Sequence, residues 1–336
     1  MIILTGGAGF IGSHTLDGLN AAGRTDVVVV DALGDGEKWR HLNGRRFRRY
    51  LHRDQLWDWL DRDPGATRAL ESVIHLGACT DTTEHDVDRL MRVNTDYSRR
   101  LWHLCAERRV PFVWASSAAT YGDGGRGFSD RRGTAEELAE LEPLNPYGFS
   151  KHRFDVWAAA RAAEPNAPEP PRWAGLKFFN VYGPREAHKG PMASYVYQAI
   201  LQAREHGRVR LFRSTRPELA DGEQSRDFVW VEDVVDVVLR FALEDRPPSG
   251  WSPGLYNVGT GRARSFNELV EAIGDALGRE VGTEYFEMPD EVRGQYQHFT
   301  EAETAKLEEA GAGPEWTPLE EGVERFVRWV EAREEG

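Results

Sequence analysis

Thr5-Gly6-Gly7-Ala8-Gly9-Phe10-Ile11-Gly12 lies between the apolar run Ile2-Ile3-Leu4 and a stretch that closes on Ala22-Gly23. This order predicts a buried strand, a glycine turn and a helix. Two registers fit the glycines, Gly7-x-Gly9-x-x-Gly12 and Gly6-x-x-Gly9-x-x-Gly12. Either one brings backbone N–H groups at a helix N-terminus close to a pyrophosphate, with no side chain in the way. A second apolar run, Val27 to Val30, ends at Asp31, 19 residues past Gly12. Strand, glycine turn, helix, strand and acidic residue in this order predict an α/β fold: a doubly wound parallel sheet around a dinucleotide site.

Asp31 suits hydrogen bonds from ribose hydroxyls and, taken alone, favours NAD. Lys38 and Arg53 follow in the next stretch, and both suit a ribose 2′-phosphate, which an arginine can hold bidentately. The two cations tip the expectation to NADP and leave NAD open.

The 336 residues, 40% of them hydrophobic, predict a nucleotide-binding domain and a smaller substrate domain, each with its own core. No run approaches the roughly 20 apolar residues of a membrane helix, and Met1-Ile2-Ile3 enters the first strand without a basic leader. A cytoplasmic protein without a membrane partner is the expectation. A net charge of −13 argues against nucleic acid as a partner. Cys79 and Cys105 are too few for a disulfide framework and lack metal-ligand spacing, so buried thiols and no metal are expected. Five lysines stand beside 37 arginines, and Lys38, Lys151 and Lys189 fall inside motifs, where a titratable ammonium does what a guanidinium cannot.

Taken in order, Ser72 to Leu76 predicts a strand running into the small residues Gly77-Ala78-Cys79-Thr80, which suit the crevice floor of a parallel sheet. Asp86 to Arg108 predicts one long helix containing Asn94. The strand Val110 to Ala115 delivers Ser116-Ser117 to the same sheet edge, and Gly124 to Leu141 predicts a surface excursion. Pro143-Leu144-Asn145-Pro146 then presets a turn into a helix that starts Tyr147-Gly148-Phe149-Ser150-Lys151. Tyr-x-x-x-Lys puts both side chains on one helix face, where the ammonium can lower the phenol's pKa for proton exchange near neutrality. Ser117, Tyr147 and Lys151 are therefore the expected catalytic set. After a strand Gly175 to Phe179 comes Asn180-Val181-Tyr182-Gly183-Pro184-Arg185, then the polar loop Glu186 to Met192. Residues 1–180, completed by about 226–260, are expected to form the cofactor domain, and 181–225 with 261–336 the substrate domain.

Thr5 to Gly12, Ser116 to Gly122, Tyr147 to Lys151, Asn180 to Arg185 and Arg226 to Val231 together resemble the nucleotide-sugar epimerases of the extended short-chain dehydrogenase/reductase superfamily, which are built on a Rossmann sheet. Gly77-Ala78-Cys79, Thr82-Thr83-Glu84 and above all Arg185 to Ser194 resemble the ADP-glyceromanno-heptose 6-epimerases within it. The resemblance implies NADP held throughout turnover, oxidation and re-reduction of an ADP-heptose at C6 for the lipopolysaccharide core, and a homo-oligomer, a homopentamer by the family's pattern. Beside Gly6, Gly9 and Gly12, it assigns Phe10, Ile11, Asp31, Ala32, Lys38, Arg53, Leu76, Gly77, Ala78, Cys79, Thr80, Val93, Lys151, Val181 and Lys189 to the cofactor. It assigns Asn180, Pro191, Gln198, Phe212, Arg213, Ser214, Thr215, Arg226 and Tyr296 to the ADP-sugar. The chain departs from the family's pattern in a longer segment between Gly122 and Pro143, an added stretch between Arg213 and Ser225, and Pro191 where serine is usual.

Inverting C6 without breaking a carbon–carbon bond requires the keto sugar to present both faces to one nicotinamide. The sugar must turn, and the C6 oxygen then leaves the first acid/base group behind. Tyr147 for one configuration and Lys189 for the other is the expected solution. The alternatives are a UDP-hexose 4-epimerase, a 4,6-dehydratase, which would carry Asp-Glu where this chain has Ala118-Ala119, and a non-catalytic NADP-binding regulator.

Overall fold

The computed structural model describes residues 1–243 and 251–334. Residues 244–250, inside the expected 226–260 return, and 335–336 lie outside the described residues. Twelve strands run through the described chain: β1 Ile2–Thr5, β2 Val27–Asp31, β3 Arg49–His52, β4 Ser72–His75, β5 Phe112–Ser117, β6 Trp173–Phe178, β7 Asn180–Tyr182, β8 Arg208–Phe212, β9 Ser225–Trp230, β10 Gly254–Val258, β11 Ala263–Ser265 and β12 Gly282–Phe286.

Ile2 to Leu4 and Val27 to Val30 are buried on both faces, which is what unbroken apolar runs require of central parallel strands. Seven strands form one sheet in the order β10-β6-β5-β4-β1-β2-β3, parallel at every pairing. Strand order reverses between β1 and β4, so the crevice of a doubly wound sheet opens at their C-terminal ends. The glycine turn leaves β1 at that point and enters the helix Phe10–Ala21. Gly6 has φ +68°, and a Cβ there would stand 2.6 Å from the backbone nitrogen of Gly77, at the exit of β4. A Cβ at Gly12 would fall on the Gly6 carbonyl.

A second hydrophobic cluster, including Val196, Phe228, Phe266, Ile273 and Phe326, lies under two small sheets. One is β11-β9-β7 and the other pairs β8 with β12. The segment 226–231 thus joins β7 rather than the main sheet, whereas β10 pairs with β6 at the edge of the main sheet. β12 was not expected from the sequence, because Gly282-Thr283-Glu284 dilutes its apolar pattern.

The long helix is interrupted. A short helix, Val87–Leu90, passes into a π-helical turn, Met91–Asp96, before the regular helix Tyr97–Arg108. The turn aims Asn94 inward. Its side-chain oxygen accepts from the Cys79 N–H at 2.8 Å, and its amide donates to the Cys79 carbonyl at 3.0 Å and to Ser150 Oγ at 2.9 Å. The exit of β4 is thereby tied to the helix Pro146–Ala163.

That helix starts cleanly, with Pro146 in its first turn and Asn145 accepting the Gly148 N–H at 2.8 Å. Asp155 on it is fully buried and meets Lys177 of β6 at 2.9 Å, Ser116 Oγ at 2.5 Å and Trp114 Nε1 at 3.2 Å. Lys177 also donates to Thr120 Oγ1 at 2.6 Å. Removing one partner of such a pair leaves a buried charge uncompensated. Asp155→Ala is expected to lower stability by about 3–5 kcal/mol in chemical denaturation, whereas loss of a surface pair such as Arg62 with Asp58 is expected to cost less than about 1 kcal/mol.

Candidate active site

One cleft of about 600 Å³ runs along the C-terminal ends of the main strands and extends to the second core. Its first wall is the glycine turn, where Gly6, Gly9, Phe10, Ile11 and Gly12 line the space. Phe10, Ile11 and Gly12 head a helix whose first N–H groups have no intrahelical partner, so the wall presents donors to an anion.

At the end of β2, Asp31 also lines the cleft, but its carboxylate is already engaged. It accepts the Ala8 N–H at 2.9 Å, the Ala32 N–H at 2.7 Å and the Lys38 ammonium at 2.5 Å, and Lys38 also reaches the Ala32 carbonyl at 3.2 Å. Lys38 therefore neutralises Asp31 rather than standing apart from it. Arg53 follows β3, whose His52 is in register with Asp31, yet its guanidinium turns to Asp54 at 3.6 Å and does not line the cleft.

Leu76, Gly77, Ala78 and Thr80 form the floor. Cys79 sits between them with both backbone groups turned to Asn94, and neither it nor Val93 of the π turn lines the cleft.

Ser117 ends β5, and Tyr147 and Lys151 arrive from the helix Pro146–Ala163; all three line the cleft. Lys151 is buried and donates to the Ala115 carbonyl at 2.9 Å. Burial lowers its pKa to about 8, against a partial upward pull from the Asp155 carboxylate. Tyr147 differs from the sequence expectation. Burial raises its pKa, and a hydrogen bond with Ser117 pulls in the opposite direction. Ser117 and Tyr147 are thus hydrogen-bonded neighbours in the cleft, and Lys151 adds a buried ammonium to the same wall.

The opposite wall comes from β7 and the loop after it, with Asn180, Val181, His188 and Lys189. Burial lowers the Lys189 pKa, and the Glu186 carboxylate raises it. The ammonium lies 5.4 Å from the Phe10 ring centroid, so this loop approaches the glycine turn.

At the far end Phe212 of β8 packs on Phe286 of β12 at 4.9 Å and edge-on to Tyr296 at 5.7 Å. Arg226 is buried, 4.9 Å from the Tyr296 ring and 5.4 Å from that of Phe266. Phe212, Arg226 and Tyr296 line the cleft, and so do Arg210, Phe286, Ser194 and Tyr195, which sequence reasoning did not single out. Pro191, Gln198, Arg213, Ser214 and Thr215 do not. Gln198 donates to the Pro191 carbonyl at 3.0 Å, Arg213 pairs with Asp221 at 2.7 Å, the Ser214 N–H bonds that same carboxylate, and Thr215 meets His298 at 2.8 Å. The added stretch between Arg213 and Ser225 explains two of the five, since its Asp221 captures Arg213 and Ser214.

A hydroxyl, a phenol and two desolvated ammonium groups around one cleft are groups that can exchange protons with a bound alcohol. Among the described residues no group of three or more His, Cys, Asp or Glu is placed to hold a metal, and no helix is long and apolar enough to cross a membrane.

Residues 2–259 match the NAD dependent epimerase/dehydratase family. The ADP-L-glycero-D-manno-heptose-6-epimerase of Nitratidesulfovibrio vulgaris is 47% identical over 98% of this chain and 97% of its own. Among solved structures, the ADP-L-glycero-D-manno-heptose-6-epimerase of Helicobacter pylori superposes with a TM-score of 0.79 at 27% identity, covering 98% of this chain and 96% of its own. The UDP-glucose 4-epimerase of Thermus thermophilus in complex with NAD superposes at 0.73 and 25% identity, covering 98% of each chain. The glycine cradle, which a Cβ would fill, fits the dinucleotide that the family's description names. With the match across residues 2–259 and a relative so similar along nearly its whole length, the chain belongs to the NAD dependent epimerase/dehydratase family, among its ADP-L-glycero-D-manno-heptose-6-epimerases.

Proposed function

We propose that this protein interconverts ADP-D-glycero-D-manno-heptose and ADP-L-glycero-D-manno-heptose by oxidising C6 and reducing it again from the opposite face. The observation that carries the reading is the placement of two proton-exchanging groups, Tyr147 and Lys189, on different walls of one cleft. A 4-epimerase that uses the Ser117, Tyr147 and Lys151 set alone does not need Lys189. The bound nicotinamide dinucleotide supplies the hydride acceptor and donor. Ser117 donates a hydrogen bond to the C6 oxygen, Tyr147 takes up the hydroxyl proton of one configuration, and Lys151 steadies the phenolate with its charge. Once the keto sugar has turned, Lys189 returns a proton to the C6 oxygen. Hydride and proton leave and return in equal number, so the product is an isomer, and before the next turnover in the same direction Tyr147 gives its proton to solvent and Lys189 takes one from it. Arg226, with Phe212 and Tyr296, is suited to the ADP portion through charge and ring stacking. The family resemblance carries a homo-oligomer and a cytoplasmic location with this reading.

Incubating the protein with ADP-heptose of one C6 configuration is expected to give the other by NMR, with no external coenzyme added. Absence of the second epimer alongside turnover of a UDP-hexose would favour the 4-epimerase instead.

The cofactor is proposed to be NADP. Lys38 supports this, since it cancels the Asp31 charge that would otherwise repel a 2′-phosphate. Lys38→Ala is expected to shift preference from NADP toward NAD by roughly 10- to 100-fold, matching the roughly 1.5–3 kcal/mol of a charged contact. Identification of the cofactor released by denaturation, followed by competition binding, measures the shift. The same preference in wild type and variant would remove Lys38 from the selection.

Single-turnover hydride transfer from each epimer separates the roles of Tyr147 and Lys189. Tyr147→Phe and Lys189→Met are each expected to lose about a hundredfold or more with one configuration and far less with the other. Weakened binding of both epimers by Lys189→Met, without selectivity in rate, would make Lys189 a clamp.

A further inference from the structure

Glu186 is fully buried at the base of the loop that carries Lys189, and every contact of its carboxylate lies within that loop or at its ends. Oε1 accepts the Gly183 N–H at 3.3 Å, where the chain leaves β7, and the Ser194 hydroxyl at 2.6 Å, where the helix Tyr195–His206 begins. Oε2 accepts the Ser194 N–H at 2.5 Å and lies 3.9 Å from the Lys189 ammonium. The Glu186 carbonyl also receives the Lys189 N–H at 2.9 Å. One carboxylate thus joins the entrance, the middle and the exit of a loop whose backbone has positive φ at Gly183 and Gly190. The outer side of the loop has a separate anchor, because Arg185 bonds Ser13 Oγ at 3.2 Å and also binds Asp17, both on the helix after the glycine turn. This outer anchor ties the loop to the body of the protein through contacts that do not involve Glu186.

We propose that Glu186 is the positioning residue for Lys189, tying the two ends of its loop together and holding its ammonium at the cleft. The proposal rests on the reading of Lys189 as the acid/base group for one C6 configuration. Removing the anion takes away the one charge that stabilises the ammonium against burial, so the lysine should lose its proton at lower pH. The other titratable or charged groups around this loop are His188 beside Lys189, Arg185, and His41 and Lys38 from the segment after β2. None of them is altered by a change at Glu186.

The test uses the cofactor-loaded enzyme as Glu186→Gln, Glu186→Asp and Lys189→Met, with single-turnover oxidation of each epimer measured across pH. Glu186→Gln is expected to lose ten- to a hundredfold in kcat for the configuration that Lys189→Met impairs, with a smaller change in KM, and to move the acidic limb of that reaction to lower pH. Glu186→Asp keeps the charge and is expected to leave the limb near its wild-type position while losing part of the rate for the same epimer. Should the glutamine variant not fold, the aspartate variant decides: a selective loss supports the proposal and an equal loss for both epimers overturns it. Equal losses in Glu186→Gln with an unmoved limb would likewise reduce Glu186 to a structural brace while leaving the Lys189 reading intact. If Lys189→Met spares both epimers, that reading fails and the proposal fails with it.

Discussion

Backbone meets backbone at Gly6 and Gly77, and the site is built around that approach. Because Gly6 turns with φ +68° and carries no Cβ, the turn after β1 can lie against the exit of β4. Gly12 makes the matching allowance one helical turn later, beneath the Gly6 carbonyl. The contact brings the start of one helix and the small-residue floor to the same point of the crevice, where strand order reverses. Thr5 fastens it, with its hydroxyl accepting the Gly77 N–H at 3.1 Å and meeting His75 at 2.6 Å.

Around this frame, reactivity is governed by how far burial is compensated. Lys177 is buried with a carboxylate at 2.9 Å, and the pair serves the architecture behind Ser117. Lys151 is equally buried, yet its nearest partner is the neutral Ala115 carbonyl, and its pKa falls to about 8. Lys189 has a carboxylate at 3.9 Å, beyond hydrogen-bond length, and lies between the two cases. Three of the five lysines thus sit at three degrees of charge compensation. Arginine would flatten the series, since its charge does not titrate in this range.

The parts of this arrangement written in a few consecutive residues were legible in the sequence. Gly6 to Gly12 and Tyr147 to Lys151 act through spacing along one turn or one helix face, so the glycine cradle and the helical pair could be placed before any tertiary contact was known. Asp31 was found by its distance from Gly12, but its neutralisation by Lys38 was not, because that depends on how the intervening segment folds back. Arg53 was misplaced for the same reason. Phe286 was out of reach: it meets Phe212 only because β12 pairs with β8, and no local pattern announces a two-stranded pairing between distant segments. Asn94 bonds the Cys79 backbone and Ser150 from distant parts of the chain, and Glu186 bonds groups at the two ends of its own irregular loop; a buried hydrogen-bonding role of either kind leaves no periodic trace.

The π-helical turn at Met91–Asp96 sets a limit on how this chain can change in length. A π turn holds one residue more than the α-helical turn it replaces, so deleting a single residue there would restore a regular helix. The helix would gain conventional hydrogen bonds, and its flanking faces would keep their orientation, because the wide turn absorbs the extra residue. The residues of the turn itself would be re-aimed, and Asn94 would lose its bonds to Cys79 and Ser150. The wide turn is thus kept for the inward aim of Asn94, at the cost of regular helical hydrogen bonds.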